Sequence, residues 1–156
     1  MKAPSENSGE KITSSIKEIT QHYLHIKNAL VNDDGKDAAS GGKAMVEAMA
    51  KFDKSLLTLE QKNIYKDIEI DAIEMADHIS TNADKIAHQR EHFDMLSKDM
   101  YDIVKIFGAG QTLYQTHCPM YNDKKGANWL SETKEIRNPY LGKKMPTCGS
   151  VKEEVK

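Results

Sequence analysis

Both cysteines of this 156-residue chain stand beside a methionine and a proline, in His117-Cys118-Pro119-Met120 and in Met145-Pro146-Thr147-Cys148-Gly149. Thiolate and thioether are soft donors and imidazole a borderline one, the set that selects Cu(I), and less sharply Zn(II), over hard cations such as Mg or Ca. In each block the two sulfurs are at most three residues apart across a proline, so both can face one point. Cys118, Met120, Met145 and Cys148 are therefore candidate metal ligands, with His117 a candidate imidazole donor. The competing use is a Cys118–Cys148 disulfide, which would close a loop of 30 positions and stabilise the fold by about 3–4 kcal/mol in the loop-entropy model. A dithiol that binds Cu(I) can oxidise when the metal leaves, so the two uses interconvert, and the redox compartment decides between them.

A second candidate is His88, His92 and Met95, whose steps of four and three put three donors on one helix face. That row lies about 100° around the helix from Phe93, Leu96 and Met100, so it borders the core rather than filling it. If the chain beyond residue 110 folds back across this helix, His92 or Met95 could complete a site begun by Cys118 and Met145. His22 and His25 flank an apolar stripe and read as solvated, and His78, near only Asp77 and Glu74, reads as surface. Nucleophilic catalysis fits poorly, because the adjacent His117 and Cys118 rarely present base and nucleophile to one point. The sequence has no glycine-rich phosphate loop and no His-Glu-x-x-His zinc helix. The expectation is a binding protein, not an enzyme.

The totals narrow the partners. With 22 basic and 24 acidic residues well mixed, the net charge is −2, which gives no electrostatic footprint for nucleic acid or an anionic membrane. No apolar run approaches the length of a membrane span. The first ten residues are polar and lack the apolar stretch of a signal peptide, although such a start also suits the linker behind a removed signal or lipid anchor.

Four helices must position these side chains. Ile12, Ile16, Ile19, Tyr23, Ile26 and Leu30 mark one face of the first. Asn32-Asp33-Asp34-Gly35 is a turn in which Asp33 or Asp34 caps the second. That helix buries Ala38, Met45, Ala48, Met49 and Phe52, and its run Ala39-Ser40-Gly41-Gly42 lets a neighbour approach closely. Thr58-Leu59-Glu60-Gln61 is a capping box opening the third, with Ile64, Ile68, Ala72, Met75 and Ile79 facing inward. Asn82 is the expected cap of the fourth, whose stripe is Ile86, Phe93, Leu96, Met100, Ile103, Val104 and Phe107, and Gly108 with Gly110 ends it. Met45, Met49, Met75 and Met100 fall at core spacing and read as packing. Beyond Gln111 the period is lost. Residues 113–116 or 127–130 could form short strands, Asn138 to Gly142 reads as a tight turn, and Trp129 and Tyr140 would anchor the segment by burying aromatic area. The expected architecture is all-α, a four-helix up-down bundle with an irregular C-terminal segment. Its divisions are a flexible polar segment over 1–11, one domain over 12–150 with the metal-binding loop at 111–150, and a tail over 151–156.

The run from Tyr23 to Asp34 (YLHIKNALVNDD), then Gln89-Arg90-Glu91-His92-Phe93, Cys118-Pro119-Met120, Trp129-Leu130-Ser131, Asn138-Pro139-Tyr140 and Met145 through Gly149 resemble the bacterial domain of unknown function 3347, over nearly the whole chain. The resemblance implies export behind a signal or lipoprotein peptide, hence a periplasmic location, and kinship with domains fused to periplasmic adaptors of copper and silver efflux systems. By carry-over of its Cys-Pro-Met and Met-x-x-Cys-Gly blocks, it implies a heavy-metal module with Cys118, Met120, Met145 and Cys148 as ligands. The metal expected there is copper as Cu(I), and zinc is the other candidate, since two thiolates and two imidazoles make a tetrahedral site. The resulting expectation is copper buffering or handover to an efflux adaptor. The alternative is a disulfide-stapled interaction module without a metal.

Overall fold

The computed structural model describes residues 6–156. Four helices come first, α1 (Glu6–Val31), α2 (Gly35–Lys51), α3 (Leu59–Ser80) and α4 (Ile86–Phe107), with one 3-10 turn at Lys54–Leu56. Three strands follow, β1 (Leu113–Cys118), β2 (Ala127–Ser131) and β3 (Ser150–Val155), with a second 3-10 turn at Gly142–Lys144. The strands form an antiparallel sheet in the order β2-β1-β3. The chain is thus a mostly helical bundle whose C-terminal segment carries a small sheet, with β1 and β2 covering the short strands expected at 113–116 and 127–130.

The helices start and stop largely where capping chemistry puts them. Asp34 caps α2 by accepting from the Asp37 amide at 3.0 Å. The Thr58 box is complete, with the Gln61 amide donating to Thr58 Oγ1 and the Thr58 amide to Gln61 Oε1. A Cβ on Gly41 would lie 2.9 Å from Ile26, and one on Gly42 would lie 2.7 Å from the Ala76 carbonyl, so the pair lets α1 and α3 close onto α2. Met45, Met49, Met75 and Met100 are all buried.

Several expectations are corrected. α1 begins at Glu6, so residues 6–11 are helix; they are nearly all polar and carry no periodic signal. The rest of the expected flexible segment lies outside the described residues. Asn82 does not cap α4. Its side-chain Nδ2 donates to the His78 carbonyl at 2.7 Å and closes the end of α3, while α4 begins after Lys85 without a side-chain cap. On α3 the inward residue of the first turns is Tyr65, packed edge-on against Phe52 and Phe107, and Ile64 is exposed. The expected 151–156 tail is instead the edge strand β3, of which only Val155 is buried. Its Lys152, Glu153 and Glu154 suit an edge that must not recruit other strands, and such polarity hides a strand from apolar alternation.

The sheet is fixed to the helices by buried polar bonds as well as by apolar area. Tyr23 of α1 lies 2.7 Å from Ser97 Oγ of α4, and its hydroxyl accepts from the Leu130 amide of β2 at 3.0 Å. Tyr140 donates to the Asn128 carbonyl at 2.6 Å. Around these hydroxyls the Tyr23 and Phe93 rings stack at 5.0 Å, and Trp129 meets Tyr140 edge-on. Trp129 and Tyr140 thus anchor the segment as expected. Lys27, 1 % exposed, pairs with Glu132 just past β2, whose other oxygen accepts from Asn28 at 3.1 Å. Burial lowers the Lys27 pKa, and Glu132 only partly offsets this. Burial also resists ionisation of Glu132, but its bond to Lys27 and the pairing of charges outweigh that and hold the carboxyl below its usual range.

Removing one member of such a pair strands the other charge in a site it cannot leave. Glu132→Ala is expected to destabilise the fold by about 3 kcal/mol in urea unfolding, and a change near zero would remove this pair as a structural anchor. On α4, burial and then the neighbouring Asp71 carboxyl push Asp99 up to about 8 from an ordinary 3.8. The folded state therefore keeps a proton that the unfolded chain releases near pH 4, and stability declines as pH rises from about 4 to about 8. Asp99→Asn is expected to flatten that decline and to be more stable than the parent above pH 8. Parallel curves of unfolding free energy against pH would contradict it.

Candidate functional site

Strand register brings the two cysteines together. β1 pairs with β3 so that His117 faces Ser150, which sets Cys118 beside Cys148 across 30 residues of chain. Gly149 makes the approach possible. Its φ is +146°, and a Cβ there would fall 2.9 Å from the His117 carbonyl and 3.1 Å from the Trp129 ring. The loop before it is tied by Asn138, which is fully buried. Its side-chain amide donates to the Cys148 carbonyl at 2.7 Å, its side-chain oxygen accepts from the amides of Tyr140 and Leu141, and its backbone amide donates to the Pro146 carbonyl. The Cys148 amide bonds the Met145 carbonyl at 3.2 Å, so this block is itself a turn.

The sulfurs of Cys118 and Cys148 are 3.9 Å apart, in hydrogen-bond contact as free thiols. Cys118 is buried and Cys148 half-buried. Desolvation, then the charge and hydrogen bond of Cys118, raise the Cys148 pKa, while the Met120 backbone amide directed at its sulfur pulls the other way. Met120 and Met145 are 43 % and 44 % exposed, so both thioethers stay outside the core. His117 is not brought to the sulfurs. Successive strand residues face opposite sides, and its Nδ1 donates to Asn128 Oδ1 on the neighbouring strand at 2.6 Å.

The histidines gather elsewhere. His88 Nε2 and His92 Nε2 are 3.2 Å apart, and the His92 ring lies against that of His78 with centroids 4.4 Å apart. One nitrogen from each of the three lies within 4.8 Å of the others, and among the described residues this is the one group of three or more His, Cys, Asp or Glu side chains that meets so closely. Burial, followed by the charges of His78 and His88, lowers the pKa of His92 and favours neutral imidazole. Met95, one turn along, instead lines a cleft with Arg90, Glu91, Asp94, Tyr121 and Asn122. Among the described residues His92 forms no such cluster with the cysteines, and Tyr121 and Tyr140 line this part of α4 beside Met95.

A family model described as protein of unknown function (DUF3347) matches residues 19–112, more than half of the chain. The chain belongs to that family. No curated protein and no solved structure matches it. The DUF3347 match runs from α1 to just short of β1, so it holds all three clustered histidines, whereas the two cysteine blocks lie beyond it. The resemblance is therefore matched over the helical part rather than over nearly the whole chain.

His78 is the ligand-type residue that sequence reasoning left on the surface. Its chemistry is not written in Asp77 or Glu74 but in the turn at 81–85, which folds α4 back along α3. Counting outward from that turn sets residue 78 level with residue 88, a signal available to a hairpin argument but absent from a search along one helix face.

The Asn138 side chain satisfies three polar groups at a buried point, and its truncation leaves them without partners. Asn138→Ala is expected to cost about 2 kcal/mol and to speed alkylation of Cys148 relative to Cys118. Unchanged alkylation rates would show that this loop does not position the thiol.

Proposed function

We propose that this DUF3347 protein binds Cu(I) between Cys118 and Cys148, and acts in periplasmic copper buffering or handover to an efflux adaptor rather than as an enzyme. The observation that carries this reading is the pair of free thiols 3.9 Å apart. A tetrahedral ion holding two thiolates at about 2.3 Å sets the sulfurs about 3.8 Å apart, so this spacing needs little rearrangement to accept a metal. Soft Cu(I) also takes thioether, and the exposed Met120 and Met145 stand beside the two cysteines to offer it. Coordination requires the thiolate form, and the Met120 amide aimed at Cys148 partly offsets the desolvation that raises its pKa. The periplasmic setting and the adaptor partner rest on the family resemblance alone. Among the described residues, no helix is long and apolar enough to cross a membrane.

Cu(I) competition under anaerobic conditions tests the reading. The reduced protein is expected to hold one equivalent tightly, and Cys118→Ser with Cys148→Ser to abolish that binding while leaving the helical circular dichroism intact. Unchanged affinity in the double variant would sink the assignment. Failure of the parent to bind copper, together with two thiols that appear only after reduction, would favour the disulfide-stapled interaction module.

A further inference from the structure

We propose that His78, His88 and His92 form a separate site for a borderline divalent cation of the zinc type, at the hairpin where α3 turns into α4 and independent of the cysteine pair. Three imidazoles from two helices converge there, and only the 3.2 Å contact between His88 and His92 links them by a hydrogen bond. A tetrahedral ion with nitrogen ligands at 2.0–2.1 Å holds them about 3.4 Å apart. The His88–His92 separation is already within a few tenths of an ångström of that value, and His78 needs a small movement from within 4.8 Å.

The surrounding groups suit coordination. Glu91 Oε2 lies 3.4 Å from His88 Nδ1, the ring nitrogen opposite the one that meets His92. A carboxylate on the far nitrogen is the usual support for a metal-bound imidazole, because it fixes the tautomer and raises ligand basicity. Glu74 stands 3.9 Å from His78 Nε2 and adds negative charge beside a would-be dication. His78 and His88 each have 44 % of the side chain exposed, so an ion can enter without opening the core. Three neutral imidazoles with the fourth position left to water match the donor preference of Zn(II) and, by the usual order of affinities, of Cu(II). Soft thiolate is absent from this cluster, so the two sites would sort metals by softness. A bound ion would also join the end of α3 to the start of α4, and would raise stability by mass action.

Zinc titration of the full chain against a chromophoric chelator tests the proposal, run on the parent, on Cys118→Ser with Cys148→Ser, and on His78→Gln and His88→Gln. The cysteine variant is expected to retain one zinc equivalent. Each histidine variant, made in that cysteine-free background, is expected to weaken it by more than about 100-fold, since losing even a supporting partner of a ligand costs 10–100-fold. Cobalt(II) in the cysteine-free protein should give a tetrahedral spectrum without a thiolate charge-transfer band. Both histidines replaced are exposed, and circular dichroism of the variants checks that they fold. No zinc binding, or binding lost with the cysteines and indifferent to the histidines, would overturn the proposal. Neither result bears on Cu(I) at the dithiol, which is read from the copper titration alone.

Discussion

The arrangement of the C-terminal half depends on one desolvated cluster of hydroxyls, Tyr23 with Ser97 and Tyr140, joined to the backbone of β2 at Leu130 and Asn128. A tyrosine hydroxyl buried without a partner costs free energy, so these rings can be buried only if the sheet docks in one position. Docking in turn aligns Trp129 against Tyr140 and brings Glu132 to Lys27. Apolar area alone would let a short sheet slide over the bundle, whereas hydrogen bonds of fixed direction do not. Both segments that carry sulfur hang from this fixed sheet.

A second clamp acts at the opposite end of the loop. Arg90 of α4 donates to the Pro139 carbonyl, the Leu30 carbonyl and Asp33, which ties the end of α1 and the returning chain to one guanidinium. Hydrogen bonding to Arg90 holds the Asp33 carboxyl below its usual range. Nearby, Gln89 bonds the carbonyls of Gly35 and Ile79 and stitches α2 and α3 to α4. The run Gln89-Arg90 is thus a structural hub, while His88 and His92 on either side of it point to the hairpin with α3. One helix carries scaffold and candidate chemistry on different faces because 100° of rotation separates neighbouring residues.

Much of the helical half was legible in the residues. The stripe of α1, the methionine packing, the Thr58 capping box and the glycines of α2 rest on local periodicity and local hydrogen bonds, which sequence encodes directly. The misses share a different cause. Ile64 and Tyr65 are adjacent, and only the positions of Phe52 and Phe107 decide which of them faces inward. β3 is polar because it is an edge strand, so alternation could not reveal it. Asn82 suits either helix end, and the backbone path of the turn gave it to α3.

The residue types alone determined which donors the protein possesses: two thiols flanked by thioethers, and imidazoles at helical spacing. Tertiary structure decided which donors meet. Strand register set Cys118 against Cys148 but turned His117 to the other face, because side chains alternate along a strand. The hairpin of α3 and α4 brought His78, silent in the sequence, onto His92. Local periodicity is a property of a few neighbouring residues, whereas the approach of donors distant in the chain depends on how whole elements pack, and that is fixed only when the core closes.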